Sequence, residues 1–179
     1  FLYAHRNDIK GRVLEISESY YSNKFGSAVN KHEVLHAVEG NPSATIIGDL
    51  CNGESLPSGN MDCFICTQTL NYIYDVNAAV HGAWQVLRPG GVLLGSVAGI
   101  SQVSSYDAER WGDFWRFTDQ SIKRLLLDRF NTVEVKPFGN RLAALAFLDG
   151  IVVEDLPDQS LLDVTDTNYQ LIIAFRAIR

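Results

Sequence analysis

The sequence contains no apolar run of the roughly 18 to 20 residues that a bilayer-crossing helix requires, and no basic stretch leading into an apolar signal core. Neither membrane insertion nor secretion is therefore expected, although a chain that begins at Phe1 instead of Met is expected to be part of a longer polypeptide. Basic clusters are also missing. The 15 Lys and Arg are scattered among 21 Asp and Glu, giving a net charge of -6, so no patch is built to grip a phosphate backbone and nucleic acid is not an expected partner. Cysteine is scarce and odd in number, with only Cys51, Cys63 and Cys66, which argues against a disulfide framework and for a reducing, cytoplasmic compartment. Cys63 and Cys66 have the spacing of a metal or redox pair. They lie in an apolar run, DCFICT, however, and zinc would need His32 and His36 as further ligands, so a buried strand is the stronger reading. The absence of any G-x-G-x-x-G turn argues against an NAD-dependent oxidoreductase. With no internal repeat or low-complexity tract, and 46% apolar residues, the 179 residues are expected to form one domain.

What is present is an alternation of strand and helix signals, as a doubly wound parallel sheet requires, because each parallel strand must be recrossed. Strands are predicted at Arg12 to Ser17, His32 to Ala37, Ala44 to Ile47, Cys63 to Cys66 and Val92 to Val97. A short helix or irregular turn falls within residues 20 to 30. Val76, Ala79, Val80, Ala83, Trp84 and Leu87 recur at three- and four-residue spacing and mark an amphipathic helix, with Asp75 as N-cap and Pro89-Gly90-Gly91 as its stop. A further helix is predicted from Asp119 to about Asp128. The C-terminal part reads as a strand at Thr132 to Val135, a helix at Arg141 to Leu148, an exposed acidic loop at Glu154 to Thr167 and a final strand at Tyr169 to Phe175.

This order resembles the class I S-adenosylmethionine-dependent methyltransferases, particularly the type 11 branch. Val13-Leu14-Glu15-Ile16 matches the start of a V-L-E-I-G-x-G pattern, with Ser17 and Ser19 at the glycine positions. Gly48-Asp49-Leu50, Leu56-Pro57 before Asp62-Cys63-Phe64, Leu70 to Asp75, and Val86-Leu87-Arg88-Pro89-Gly90-Gly91-Val92-Leu93-Leu94 continue the match. The segment from Trp111 to Thr118, WGDFWRFT, looks like a stretch found in relatives associated with glycan and glycosyltransferase genes. The resemblance implies an α/β fold with a doubly wound, mostly parallel seven-stranded sheet and an antiparallel C-terminal strand. It also implies S-adenosylmethionine as cofactor and a small-molecule or saccharide acceptor, with a fused or associated glycosyltransferase as a candidate partner.

By the same resemblance, Ser17, Glu18, Ser19 and Tyr20 line the cofactor crevice. Glu15 accepts from the ammonium of the methionine moiety, Asp49 bonds the adenine amino group beside a Leu50 wall, and Thr67 and Gln68 lie near the sulfonium. His36 stands where an acidic residue usually accepts the ribose hydroxyls, with Glu39 as its substitute. Asp113, Tyr72 and Tyr106 are the candidate bases. Asp113 ranks first because burial among tryptophans would raise its pKa. Trp111 and Trp115 could stack on a sugar face and Arg116 hold a phosphate or carboxylate; equally, these side chains could simply pin their loop to the core. The departures at Ser17, Ser19, His36 and Tyr72 leave a second reading open, a non-catalytic methyltransferase-like module used for interaction or as a scaffold in a glycan-assembly protein.

Overall fold

A computed structural model describes residues 1–156 and 158–179 of the chain. Among the described residues there are seven strands: β1 (Lys10–Ile16), β2 (Ala28–His36), β3 (Ile46–Ile47), β4 (Met61–Thr67), β5 (Leu87–Ala98), β6 (Thr132–Phe138) and β7 (Ile172–Ile178). They form one sheet in the order β3-β2-β1-β4-β5-β7-β6. All neighbours are parallel except β5 with β7 and β7 with β6, which are antiparallel. The helices are α1 (Tyr20–Phe25), α2 (Val76–Val86), α3 (Ser105–Arg110), α4 (Asp119–Leu127) and α5 (Arg141–Leu148). The expected doubly wound α/β sheet with an antiparallel C-terminal strand is the observed fold.

The dense apolar strands are buried on both faces, and their period of two divides them. Leu14, Phe64, Leu93 and Phe175 face α2 and α4, where they meet Ala79, Val80, Ala83, Ile122 and Leu126. Val13, Cys63, Ile65 and Leu94 face the other way, against Phe1, Leu2, Tyr21 and Phe25. Gly95 has to be glycine here, because a Cβ would come within 2.3 Å of the Phe175 ring. The apolar stripe of α2 packs as its spacing requires, and Asp75 caps it by accepting from the Ala78 amide at 3.0 Å.

Differences from the sequence reading have local causes. Helix α2 ends at Val86, ahead of Pro89, and the Pro-Gly-Gly turn lies inside β5 as a bulge between the Met61–Leu87 and Cys63–Val92 pairs. Strand β2 starts four residues before the expected His32. Its charges are used there: Glu33, 3% exposed, accepts from Arg12 at 2.7 Å, Lys31 at 2.6 Å and Thr45 at 2.5 Å. Burial pushes the Glu33 carboxyl up, but Lys31, Thr45 and Arg12 outweigh it and hold its pKa at about 2. The last strand runs on to Ile178 because Arg176, the charge that interrupts the apolar run, is neutralised by Asp8 and Glu134, each at 2.8 Å. The acidic stretch from Glu154 to Thr167 is exposed over most of its described residues and carries 3-10 segments at Val153–Asp155 and Gln159–Asp163; Pro157 within it lies outside the described residues.

All three cysteines are free. Burial pushes the Cys66 thiol up to about 12 and the Cys51 thiol to about 11, with Asp49 and Asp75 adding to the latter, and burial raises Cys63 as well. The thiolate is the reactive form, so native protein at pH 8 should react with a colorimetric thiol reagent far more slowly than protein unfolded in urea. A fast native-state phase would place one thiol in an activated environment. Among the described residues no group of three or more His, Cys, Asp or Glu is placed to hold a metal ion, and no helix is long and apolar enough to cross a membrane.

Candidate functional site

Strand order reverses between β1 and β4, and in an open sheet ligands bind outside the carboxyl ends of the strands at that point. Two backbone observations mark the same place. Among the described residues, only Ser17 (φ 66°) and Gln68 (φ 48°) are non-glycine residues with positive φ, and each directly follows one of these two strands. The left-handed region costs an L-residue roughly 1 kcal/mol or more and is held only where its surroundings impose it. Ser17 thus keeps the backbone shape a glycine would take at this turn. Ser17→Gly should relieve that cost and return part of it through extra freedom of the unfolded chain, for a net gain of roughly 0.5 kcal/mol in urea denaturation. A loss of stability instead would mean that the Ser17 side chain is itself a support.

The turn is braced from three sides. The Ser17 amide donates to the Leu35 carbonyl at 3.0 Å, while the Ser17 carbonyl accepts from Asn41 Nδ2 at 2.7 Å. Glu15, 2% exposed, accepts from the Tyr21 amide at 2.9 Å and the Ser22 amide at 2.7 Å. Both carboxylate oxygens therefore cap α1, and Glu15 acts on the crevice through the turn it fixes. Ser17 and Glu18 are exposed, Ser19 is half-buried at the start of α1, and Tyr20 points outwards to accept from Lys24 at 2.8 Å. It is Tyr21 that faces inwards.

At the end of β2, His36 Nδ1 lies 2.7 Å from the Val38 carbonyl, so this nitrogen carries the proton and donates. In the neutral ring Nε2 is then left as the acceptor. Glu39 is exposed in the following turn. Asp49 is exposed and accepts from the Cys51 amide at 2.8 Å, whereas Leu50 is only 4% exposed and belongs to the core beneath α2.

Beside the crevice, a cavity of about 530 Å³ opens over the ends of β4 and β5. Thr67, Gln68, Tyr72, Asp113 and Arg116 line it, together with Asn71, Ser96, Ser101 and Ser104. Tyr106 does not; it is 66% exposed on α3, with the Arg110 guanidinium 3.5 Å above its ring. Asn71 is 3% exposed, and among the described residues its Oδ1 is the one buried side-chain polar atom without a hydrogen-bond partner.

The expected upward shift of Asp113 is reversed. Its carboxylate, 2% exposed, is gripped by both terminal nitrogens of Arg116 at 2.5 and 2.8 Å and by the Ser104 amide at 3.0 Å. The Arg116 bond, outweighing burial, holds its pKa below the usual carboxylate range. Arg116 also donates to the carbonyls of Ser101, Gln102 and Trp115. A guanidinium has five N–H donors, and all five are engaged within its own loop, so none remains for a phosphate or carboxylate. Trp115 Nε1 donates to the carbonyls of Ile73 and Tyr74 at 3.1 and 3.2 Å, while its ring stacks on Tyr74 at 5.9 Å. Trp111 reaches furthest, to meet His36 edge-on at 5.8 Å. The loop is thus pinned, and it roofs the space between β5 and the end of β2.

Tyr72 donates its hydroxyl to Asp107 at 3.1 Å, and burial followed by that bond raises its pKa. Asp107 stands on α3, a helix absent from the sequence reading; Ser104 followed three residues later by Asp107 is the capping pattern that marks it. Asn41, in the turn-forming Asn-Pro pair, and Asn71 were likewise missed.

A family model described as a methyltransferase domain matches residues 10–95. No curated protein sequence matches the chain. Among solved structures, an S-adenosylmethionine-dependent methyltransferase from Mesorhizobium loti superposes with a TM-score of 0.64 at 16% identity, covering 99% of this chain and 95% of that one. Haemonchus contortus phosphoethanolamine N-methyltransferase 2, in complex with phosphomonomethylethanolamine and S-adenosylhomocysteine, gives 0.60 at 13% identity over 95% of this chain. The chain spans 49% of that protein. The [4+2]-cyclase SpnF gives 0.62 at 12% identity, covering 99% of this chain and 78% of that one. Likeness at these identities is likeness of fold, and a fold hosts more than one chemistry. The chain therefore carries the class I methyltransferase fold, with the methyltransferase-domain match over residues 10–95.

Proposed function

We propose that this chain is a single-domain S-adenosylmethionine-dependent methyltransferase acting on a hydroxyl of a small molecule or saccharide. The observation that carries the reading is the pair of left-handed, non-glycine residues, Ser17 and Gln68, at the carboxyl ends of the two strands that flank the switch point. The backbone strain is retained where a cofactor needs close approach. The residues present fit the cofactor: an open first turn, a free acceptor at His36 Nε2 for a ribose hydroxyl, and an exposed Asp49 carboxylate for an amino group. When bound, S-adenosylmethionine supplies an electrophilic methyl group on a sulfonium.

The chain's own contribution is mainly positioning. Asn71, whose buried Oδ1 has no partner among the described residues, lies in the cavity wall beside Thr67 and Gln68, where it would help to orient the acceptor. Holding the nucleophile at near-attack distance is the larger part of such a displacement. Asp113 is tied to Arg116 and Tyr72 is held protonated, so both orient the roof in preference to taking a proton. With the cofactor bound, the sulfonium–methyl bond would break to leave a neutral thioether as the C–O bond forms, and the hydroxyl proton would pass to water. The three free thiols support a cytoplasmic setting, and the WGDFWRFT segment supports an associated glycosyltransferase.

Trp111 against His36, in a loop so firmly tied, favours a second reading as a non-catalytic scaffold module. Calorimetric titration with S-adenosylmethionine and S-adenosylhomocysteine separates the two. Micromolar binding that is lost in Asp49→Ala is the expected result; no heat from folded protein would sink the enzyme reading.

A further inference from the structure

Residues 99–116 leave the end of β5 and return to it, since the Phe117 amide donates to the Ala98 carbonyl at 2.9 Å. The excursion is anchored beside the end of β4. There the Phe114 and Trp115 amides donate to the Asn71 carbonyl at 2.9 and 3.2 Å, and the Tyr72 hydroxyl donates to Asp107. Its tip goes further. Trp111 meets His36 at the end of β2, three strand positions from β5 in the order β2-β1-β4-β5, or roughly 14 Å at the usual strand spacing. The loop therefore crosses the ends of β4 and β1, where the left-handed turns at Gln68 and Ser17 lie.

The tip is shaped to present the indole. Trp111 closes α3, and Gly112 turns the chain back at φ 87°, where a Cβ would come within 2.2 Å of the Phe114 ring. Trp111 is 43% exposed, so much of its ring faces solvent. Next to it, His36 is held by the bond from Nδ1 to the Val38 carbonyl, which leaves Nε2 as an acceptor. Neither residue lines the cavity that holds Asn71. The pair belongs to the β2 end of the crevice, apart from the acceptor chamber.

We propose that Trp111 is a cofactor-binding residue: its indole lies on the nucleoside of S-adenosylmethionine, beside the ribose-accepting Nε2 of His36. This rests on the methyltransferase reading for the identity of the ligand, while the contact itself can be tested with a nucleoside that carries no amino acid. In the free chain the indole rests against the His36 ring, and it shifts from there onto the ligand. A purine offers a π face for stacking and a ribose offers hydroxyls, so an apolar ring beside a neutral acceptor suits an uncharged nucleoside. Rigidity comes from the other end of the loop, where Arg116 grips Asp113 and Trp115 is tied to the Ile73 and Tyr74 carbonyls.

The test titrates S-adenosylhomocysteine and 5′-methylthioadenosine into the whole chain and into Trp111→Ala and Trp111→Phe, followed by NMR. Trp111→Ala should weaken both ligands in similar proportion, by roughly tenfold or more, and Trp111→Phe should keep most of the affinity because it keeps a stacking face. Intermolecular NOEs from the Trp111 ring to purine or ribose protons of bound 5′-methylthioadenosine are expected in the parent chain, a measurement that needs no variant to fold. Unchanged affinity in Trp111→Ala, or absence of those NOEs, overturns the proposal. So does S-adenosylhomocysteine binding without 5′-methylthioadenosine binding, or a loss confined to S-adenosylhomocysteine, since either puts the indole on the methionine moiety. If 5′-methylthioadenosine binds through Trp111 while S-adenosylhomocysteine fails to bind, the nucleoside site stands and the methyltransferase reading falls. Binding of neither ligand by the folded parent chain overturns both.

Discussion

Arg116→Ala is expected to cost about 2–3 kcal/mol of unfolding free energy at pH 7, because it leaves the buried Asp113 carboxylate with the Ser104 amide as its only strong partner. The pair's partial exposure at Arg116, 28%, keeps the figure below that of a wholly buried pair. Three loop carbonyls lose their donor in the same step. The pH dependence distinguishes this from a simple loss of packing. In the parent chain the folded pKa of Asp113 is depressed, so its contribution is present above the unfolded carboxyl value and is lost as pH falls through the folded one. In the variant, burial without the guanidinium raises that pKa, and the penalty shrinks as the carboxyl protonates. The gap between parent and variant in urea denaturation should therefore be widest near neutrality and narrow towards pH 4. Arg116→Lys keeps the charge without the planar fork and should fall between them. Asp113→Ala combined with Arg116→Ala should cost less than the sum of the single changes. A pH-independent loss would show that the loop is held by Trp115 and Phe114 instead.

Glu15→Ala carries the second large effect. Helix α1 has six residues, too few to persist without support from outside itself. That support is the Glu15 carboxylate on the Tyr21 and Ser22 amides, and bonds of this charged type contribute about 1.5–3 kcal/mol each. Removing both should destabilise the chain by about 3 kcal/mol. Unwinding the first turn of α1 also withdraws Tyr21 from the cavity and frees the chain between Ser17 and Tyr20. S-Adenosylhomocysteine affinity should then drop by at least about tenfold, the equivalent of 1.4 kcal/mol. Glu15→Gln retains one acceptor oxygen and should lose less of both. Were affinity unchanged in a destabilised Glu15→Ala, the crevice would not depend on the turn's shape.

Residues whose role is set by their own periodicity were legible in the sequence. Val76 to Val86 announces its helix by apolar spacing, with Asp75 as cap, and Arg141 to Leu148 by its Ala- and Leu-rich composition. Cys63 to Cys66 read as a buried strand because nothing polar interrupts it. Roles set by a partner distant in sequence were not legible. Arg176 hides the end of β7 until Asp8, 168 residues away, is seen to neutralise it. Within the site the residue types were recognised, but not their engagements. Asp113 and Arg116 were both candidates, yet only the bidentate bond shows that each occupies the other. Tyr20 and Tyr21 are adjacent and chemically identical, and a one-residue difference in helix phase decides which faces the cavity. Leu50 lies beside an exposed Asp49 but is turned into the core.

The position of β7 bears on how the chain is assembled during synthesis. Among the described residues strand β6 pairs only with β7, and β7 lies between it and β5. While the chain emerges in order, β5 has a free flank and β6 has no partner until residues 172–178 arrive and insert between them. The N-terminal strands can pair as they appear, whereas this half of the sheet must close last, around contacts of high sequence separation. Two unpaired strand edges are exposed in the interval. A nascent chain stalled before Ile172 would therefore be a natural client for a chaperone, and slow translation through residues 172–178 would lengthen its exposure.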